Sequence, residues 1–463
     1  MDNTEKLENG QPEKGKKNRF KIKPLDKSPE AKKRRKKIAL IVIISIISAI
    51  LLVVIITAIG SAIVTKTLPK YAQSFGGVSY SDGEQLVPEK DTDGYWTFVT
   101  DDEFKVVQLT DIHLGGGLFS ATTDKKVLNA IAAMVTAEKP DLVIATGDIA
   151  YPVPFSAGTS DNKKAAKAFA DLMDSLGVYW TVTFGNHDTE VYSKYTREQI
   201  SDFYSGDQYK YSLFSEGPEN IDGFGNSIIK IKNSAGFVTR AIVTLDSHSY
   251  LPSDKFGLKW EYDNIHNSQT TWYKTEMAKL KAANQTKFDA LPEGEQVSSI
   301  KIDVPSSLYF HIPIKEYKDA WMEYYDNDSK DIAGVVELKY GRIGETGKLI
   351  YHGVGEDNVF DTMVEAGGDS VFCGHDHYNN ISINYWKTEE QIKPIRLTYG
   401  VSLDYLAYPG IASKGAQRGC TVIVYDGADI DITPENYYQS KYRDVAKYKV
   451  EKVKIVEEHI PRK

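Results

Sequence analysis

Five short motifs, in order over residues 111–377, hold the side chains of this sequence best suited to chemistry. They read Asp111-Ile112-His113, Gly147-Asp148, Gly185-Asn186-His187-Asp188, a lone His311 in Phe310-His311-Ile312-Pro313, and Gly374-His375-Asp376-His377. Histidine, aspartate and asparagine in such groups are the donors that hold two divalent metals side by side. Hydrolysis of a phosphate ester needs charge neutralised on the phosphoryl oxygens and a strong nucleophile at neutral pH. Two metals about 3.5–4 Å apart supply both. Carboxylate and imidazole donors suit Mn, Fe and Zn better than Ca or Mg. A bridging carboxylate must reach both ions, and Asp148, a short side chain just after an apolar run, fits that part.

The flanking elements explain how such residues would meet. Phe104–Leu109 is a short apolar run rich in β-formers and leads into the Asp111 motif. Val127, Leu128, Ile131, Met134 and Val135 recur at helical spacing over 124–138, and Pro140 stops that helix. Leu142–Ala145 reads as a strand ending at Gly147-Asp148. Residues 163–176 form a second helix with Ala166, Phe169, Leu172, Met173 and Leu176 on one face, and Tyr179–Phe184 is a strand ending at the Gly185 motif. Ligand sites of open α/β sheets lie at the carboxyl ends of strands. Further strands are expected at Arg240–Leu245, Leu308–His311, Val371–Phe372 and Cys420–Tyr425, with helices near 268–282 and 358–366. Residues 283–305 read as an irregular surface insertion.

Taken together, the motifs resemble those of the calcineurin-like metallophosphoesterase superfamily over about residues 103–425. The resemblance implies an α/β fold, an αββα sandwich of two mixed sheets flanked by helices, with a dinuclear site at one edge. It assigns Asp111, His113, Asp148 and His377 to one metal, and Asp148, Asn186, His311 and His375 to the other. It leaves His187 unligated, near the leaving-group oxygen, with Asp188 orienting it, and it makes a metal-bound hydroxide the nucleophile. Ser268-Gln269-Thr270-Thr271-Trp272-Tyr273 and Tyr399-Gly400 are similar to the purple-acid-phosphatase-like branch, which includes a yeast phosphatase. Two departures stand out. Val401 occupies the position where that branch often carries arginine, so a phosphate-binding arginine is not expected there. Tyr151 sits where purple acid phosphatases place an iron-ligating tyrosine, but those enzymes lack a histidine at the position of His113. Tyr151 is therefore read as a wall of the site. His248 lacks the Phe-His-Ile-Pro context and reads as a loop residue, and His266, His352 and His459 as surface or structural.

The chain of 463 residues has a net charge of −8, but residues 1–37 alone carry +8, leaving −16 for the remainder. Residues 38–64 contain no charged side chain and follow a basic cluster at 32–37. That run exceeds the ~30 Å hydrocarbon core at about 1.5 Å per residue. It is also longer than the ~7–15-residue core of a cleaved signal peptide. The expected organisation is a basic, disordered cytoplasmic segment at 1–37, a single-pass transmembrane helix at 38–65 and a linker at 66–100. An extracellular catalytic domain at 101–430 and a C-terminal strand or tail at 431–463 follow. Two cysteines, Cys373 and Cys420, exclude a disulfide framework and leave one bridge open. The expected partners are a phosphate-ester substrate, phosphomonoester foremost, and the membrane. Nucleic acid is not expected, because the exported part has no positive footprint. Phosphodiesterase or nuclease activity, and a non-catalytic metal-binding surface protein, are the competing readings.

Overall fold

Strand Phe104–Leu109 turns Phe104 and Val106 into one apolar cluster and Val107 and Leu109 into another. Leu142–Thr146 does the same with Leu142 and Ile144 against Val143 and Ala145. Successive strand residues face opposite sides, so a strand covered on both faces needs apolar residues throughout. These are central strands of a layered core.

The computed structural model describes residues 26, 28–80, 85–345, 347, 349–355, 357–409, 411 and 418–445. In chain order its strands are β1 (Glu89–Lys90), β2 (Trp96–Val99), β3 (Phe104–Leu109), β4 (Leu142–Thr146), β5 (Trp180–Thr183), β6 (Ser227–Lys232), β7 (Val238–Thr244), β8 (Ser306–Tyr309), β9 (Val336–Tyr340), β10 (Gly368–Cys373), β11 (Ser382–Tyr385), β12 (Ile395–Tyr399), β13 (Gly419–Asp426) and β14 (Asp429–Asn436). The helices are α1 (Pro29–Ala72), α2 (Ala121–Glu138), α3 (Pro154–Ala157), α4 (Asn162–Leu176), α5 (Arg197–Ser205), α6 (Asn267–Asp289), α7 (Glu316–Asp326), α8 (Val359–Ala366) and α9 (Ser440–Val445).

Two mixed sheets result. The larger runs β1-β2-β6-β7-β8-β10-β12-β11-β9, and the smaller β14-β13-β3-β4-β5. Phe98, Ile229, Ile242, Tyr309 and Phe372 of the larger sheet pack with Val106, Leu142, Ile144 and Ile423 of the smaller in a shared inner cluster. On the smaller sheet's outer side lie α2, α4 and the end of α1, through residues such as Leu128, Phe169 and Leu68. On the larger sheet's outer side lie α6, α7 and α8, through Trp272, Tyr317 and Phe360. This is the expected sandwich of two sheets between helices.

Two compact units divide the chain, Met1–Ile56 and Thr57–Lys463. The first holds the start of α1, whose apolar side chains are exposed to solvent. Among the described residues, α1 is the one helix long and apolar enough to cross a membrane. The second unit holds both sheets.

Several boundaries differ from the sequence reading. Helix α1 begins at Pro29 and runs to Ala72, so residues 29–37, expected to be disordered, are helical, as are 66–72 of the expected linker. Lysine, arginine, alanine and leucine are good helix formers, and a helix nucleated in the apolar run extends readily into them. Trp96–Val99, also in the expected linker, pairs in parallel with β6, so the larger sheet begins before residue 101. Its Trp-Thr-Phe-Val sequence suits a half-buried pleat. The expected insertion at 283–305 is helical as far as Asp289. At the C-terminal side β14 is an edge strand paired with β13, and α9 follows. The alternation at Tyr448–Ile455 lies outside the described residues. Cys373 and Cys420 are both buried free thiols, so no bridge joins them.

Candidate metal centre

All five motifs follow directly on parallel strands: the Asp111, Asp148 and Gly185 motifs on β3, β4 and β5, and the His311 and Gly374 motifs on β8 and β10. The first three come from the smaller sheet and the last two from the larger. Packing the sheets face to face brings these ends together, and Asp148 Oδ2 lies 3.1 Å from His311 Nε2 across the boundary.

Two groups of donors form there. Asp111, His113, Asp148 and His377 make one, and Asp148, His311 and His375 the other. Within each, one donor atom per residue lies within 4.8 Å of the others, and every member is buried. Asp148 belongs to both. His113 Nε2 is 3.2 Å from Asp148 Oδ2, and His377 Nε2 is 3.6 Å from Asp111 Oδ1. Asn186 turns its Nδ2 to the Tyr250 hydroxyl at 2.9 Å, leaving its Oδ1 buried with no hydrogen-bond partner. His311 points its Nε2 at Asp148 Oδ2, and its Nδ1–H donates to the Thr146 carbonyl at 2.8 Å. That bond holds the ring so that Nε2 faces the cluster, where its lone pair would be free for an ion once the Nε2 proton is lost. Buried acceptors without donors are costly, and a cation satisfies them. The donor set therefore fits a pair of metal ions.

The backbone here is held away from its relaxed conformations. Asp111, His113, Asp148 and His375 have φ of 50°, 49°, 53° and 79°. Left-handed backbone at non-glycine residues costs of order 1–3 kcal/mol each and persists only where surroundings enforce it. Gly147, at φ 80°, lies so near His311 that a Cβ would run into the imidazole. At Gly185 a Cβ would meet the Asp148 carboxylate. The glycines that open these motifs make room for the ligand cluster.

Charge is concentrated in the site. Burial pushes the Asp148 carboxyl up, but the His311 and His187 rings and hydrogen bonds from His113 and His311 hold it well below the usual range. For His311 burial lowers the pKa, yet the Asp148 charge lifts it to about 9. His375 is driven well below the usual imidazole range by burial and by His311. Metal ions held by these residues would take the place of such protons.

The sequence reading assigned Asp188 to orient His187, and the geometry corrects it. The Asp188 carboxylate accepts the backbone N–H of Asp148, Ala150 and Gly185 at 2.9, 2.8 and 2.8 Å. It ties the loops after β4 and β5 together. The partner of His187 is Glu190, whose Oε1 lies 2.7 Å from Nδ1. His187 itself is 23% exposed at the edge of the cluster. Its backbone N–H donates to Asp148 Oδ1 at 2.8 Å. Tyr151 packs 5.0 Å from the rings of both His113 and His187.

Asp404 was missed. Its Oδ2 lies 2.9 Å from His377 Nδ1 and 3.2 Å from His113 Nδ1, on the far side of both rings from the cluster. The backbone N–H groups of Leu406, Ala407 and Tyr408 brace its carboxylate. Burial raises its pKa, but His113 and His377 outweigh that and hold it ionised. It lies five residues past β12, so reading β12 as a strand would have pointed to it. Val401 is buried, its N–H donating to the Thr421 hydroxyl. His248 joins neither group: its ring stacks 4.1 Å from His266, and its Nε2 meets Gln269 Oε1 at 3.0 Å. His352 bonds the Gly353 carbonyl, and His459 lies outside the described residues.

A family model described as calcineurin-like phosphoesterase matches residues 104–379. In Arabidopsis thaliana, "probable inactive purple acid phosphatase 29" is 28% identical over 347 residues, covering 71% of this chain and 78% of that protein. "Probable inactive purple acid phosphatase 14" is 29% identical over 334 residues, covering 67% and 73%. In Saccharomyces cerevisiae, "phosphatase DCR2" is 27% identical over 313 residues, covering 63% of this chain and 46% of its own. Among solved structures, purple acid phosphatase PPD1 from yellow lupin seeds matches with a TM-score of 0.33 and 10% identity, covering 75% of this chain and 56% of that one.

Proposed function

The chain belongs to the calcineurin-like phosphoesterase family, a hydrolase of phosphoric esters, and from that premise we propose a membrane-anchored, two-metal phosphomonoesterase. The observation that carries the proposal is the pair of buried donor groups sharing Asp148. Asp111, His113, Asp148 and His377 hold one ion; Asp148, Asn186, His311 and His375 hold the second. When bound, the ions neutralise the phosphoryl oxygens and acidify a water; their identity among Mn, Fe and Zn is open.

The chain's own residues do the rest. Asp404 holds His113 and His377 by their Nδ1 atoms, keeping each Nε2 lone pair directed inward. His187, steadied through Nδ1 by Glu190, hands a proton from Nε2 to the departing ester oxygen. Tyr151 shields that proton from bulk water on one side. The exposed apolar stretch of α1 anchors the enzyme, with the basic residues 32–37 retained on the cytoplasmic side.

The test is turnover of an aryl phosphate and an aryl phosphodiester by the full chain loaded with Mn, Fe or Zn. Monoester turnover should exceed diester turnover, and Asp148→Ala should abolish both activity and metal uptake. Undiminished turnover by a folded Asp148→Ala protein overturns the mechanism. The names of the plant relatives raise a second reading, a non-catalytic metal-binding protein. Two full donor groups and the His187–Glu190 pair favour catalysis; metal uptake without turnover of any phosphoester would select the alternative.

A further inference from the structure

The apolar run at 38–64 does not end far from the metal centre. Within the unit Thr57–Lys463, the Ser61 hydroxyl donates to the Gly158 carbonyl at 2.9 Å and accepts the Leu118 N–H at 3.3 Å. Gly60 lies so close to Leu118 that a Cβ would overlap its side chain. Leu118 is five residues from His113, so at most ~18 Å of chain separates a ligand from the helix. Gly158 closes α3, which follows closely on Tyr151. Ile59 and Ile63 of the helix remain exposed, while Val64 and Leu68 are buried.

The same face carries an unusual surface. Phe155, the second residue of α3, is 93% exposed, and Phe119 is 52% exposed beside Gly158. A groove of about 200 Å³ lies where α1 meets this segment, lined by Val64, Leu68 and Gly116 together with Asp161 and with Lys163, Lys164 and Lys167 of α4. Lys167 is paired with Asp171 at 2.7 Å, and Lys163 rests near the Tyr195 and Phe203 rings. Lysines stand out here, since the chain beyond residue 37 is strongly acidic. Exposed aromatic rings beside lysines are the composition of a membrane interface, where rings enter the headgroup layer and ammonium groups meet anionic lipid.

We propose that the face built from residues 115–119, α3 and the start of α4 rests on the bilayer surface, and that the substrate is a phosphate ester displayed by a lipid. The inference rests on the reading of residues 38–64 as a membrane span. Phe119 and Phe155 enter the headgroup layer, and the α4 lysines meet anionic head groups. A phosphate in that layer then lies within reach of the metal centre without leaving the membrane.

Both native cysteines are buried, so a Phe155→Cys variant of the full chain in phospholipid vesicles can carry a polarity-sensitive fluorophore. Its emission should shift to the blue and be quenched by lipids bearing a nitroxide near the head group. The same label at Ile392, 94% exposed in the β11–β12 turn, reports water. Phe155→Ser should lower turnover of a diacylglycerol phosphate in vesicles about tenfold, the worth of one phenyl burial. Turnover of a soluble aryl phosphate should be unchanged. A Phe155 label as wet as the Ile392 label, or equal turnover of the vesicle substrate by Phe155→Ser and the parent, overturns the inference while the chain stays in alkali-washed vesicles. Release of the chain by the alkaline wash overturns the membrane span, and this inference with it.

Discussion

The Nδ1 atom of His187 and the Oε1 atom of Glu190 lie 2.7 Å apart, three residues from each other in the chain. The carboxylate is almost wholly buried, whereas the imidazole is partly open. A general acid contributes about 10²–10⁴-fold to rate, and its partner keeps it in one tautomer and orientation. Glu190→Gln should lower kcat about tenfold on alkyl phosphates, with KM unchanged. The loss should be smaller on a nitrophenyl ester, whose leaving group needs no proton. Equal losses on both esters would show that Glu190 does not act through His187.

Asp404 should matter to metal retention more than to folding. Carboxylates behind ligating histidines are worth about 10–100-fold in metal affinity. Asp404→Asn leaves a side chain of the same size but hands His113 and His377 a weaker partner. Titration of the metal-free protein should show affinity lower by that factor. An unchanged isotherm would contradict the role assigned to Asp404.

Asp188 should behave as a structural residue. Its carboxylate satisfies three buried backbone N–H groups, and Asp188→Ala strands all of them. Each stranded donor costs about 1–3 kcal/mol, so metal-free Asp188→Ala should lose at least about 3 kcal/mol in denaturant unfolding. A variant of full stability with impaired catalysis would return Asp188 to a role at His187.

Asp124 predicts a pH dependence of stability. It is fully buried and accepts the N–H groups of Gly115 and Gly116 and the Ser120 hydroxyl. Burial pushes its pKa up to about 7 against those three donors. A carboxyl whose folded value exceeds its unfolded value of ~4 favours the folded state at low pH. That contribution is lost as pH rises from ~4 towards 7. Asp124→Asn should therefore show a flatter loss of stability over this window, whatever its absolute stability. Parallel pH profiles for the two proteins would refute the shift.

Much of the centre was legible because each motif interrupts an apolar run, and polar residues just after a buried strand have few structural reasons to be there. The strands β3, β4 and β5 were read from short runs rich in Val, Ile, Leu, Phe, Trp and Thr. What failed was local. Ile395–Tyr399 and Ser382–Tyr385 do alternate apolar and polar residues, as a half-buried strand does, but over only five and four positions, so β12 and β11 went unread and Asp404 with them. Asp188 and Glu190 are both close to His187 in sequence, and spacing does not say which carboxylate the chain turns toward the ring. The left-handed backbone at Asp111, His113, Asp148 and His375 is likewise invisible in the letters, because those conformations are imposed by contacts between distant segments.

The proposed ligands divide between the two sheets: Asp111, His113, Asp148 and Asn186 follow strands of the smaller, and His311, His375 and His377 follow strands of the larger. Neither half alone assembles either donor group in full, so metal binding there would clasp the two halves of the sandwich together. A molecule that has not yet acquired metal ions would lack that clasp. Its sheets should part more readily, and an added protease should cut it faster than the metal-loaded protein.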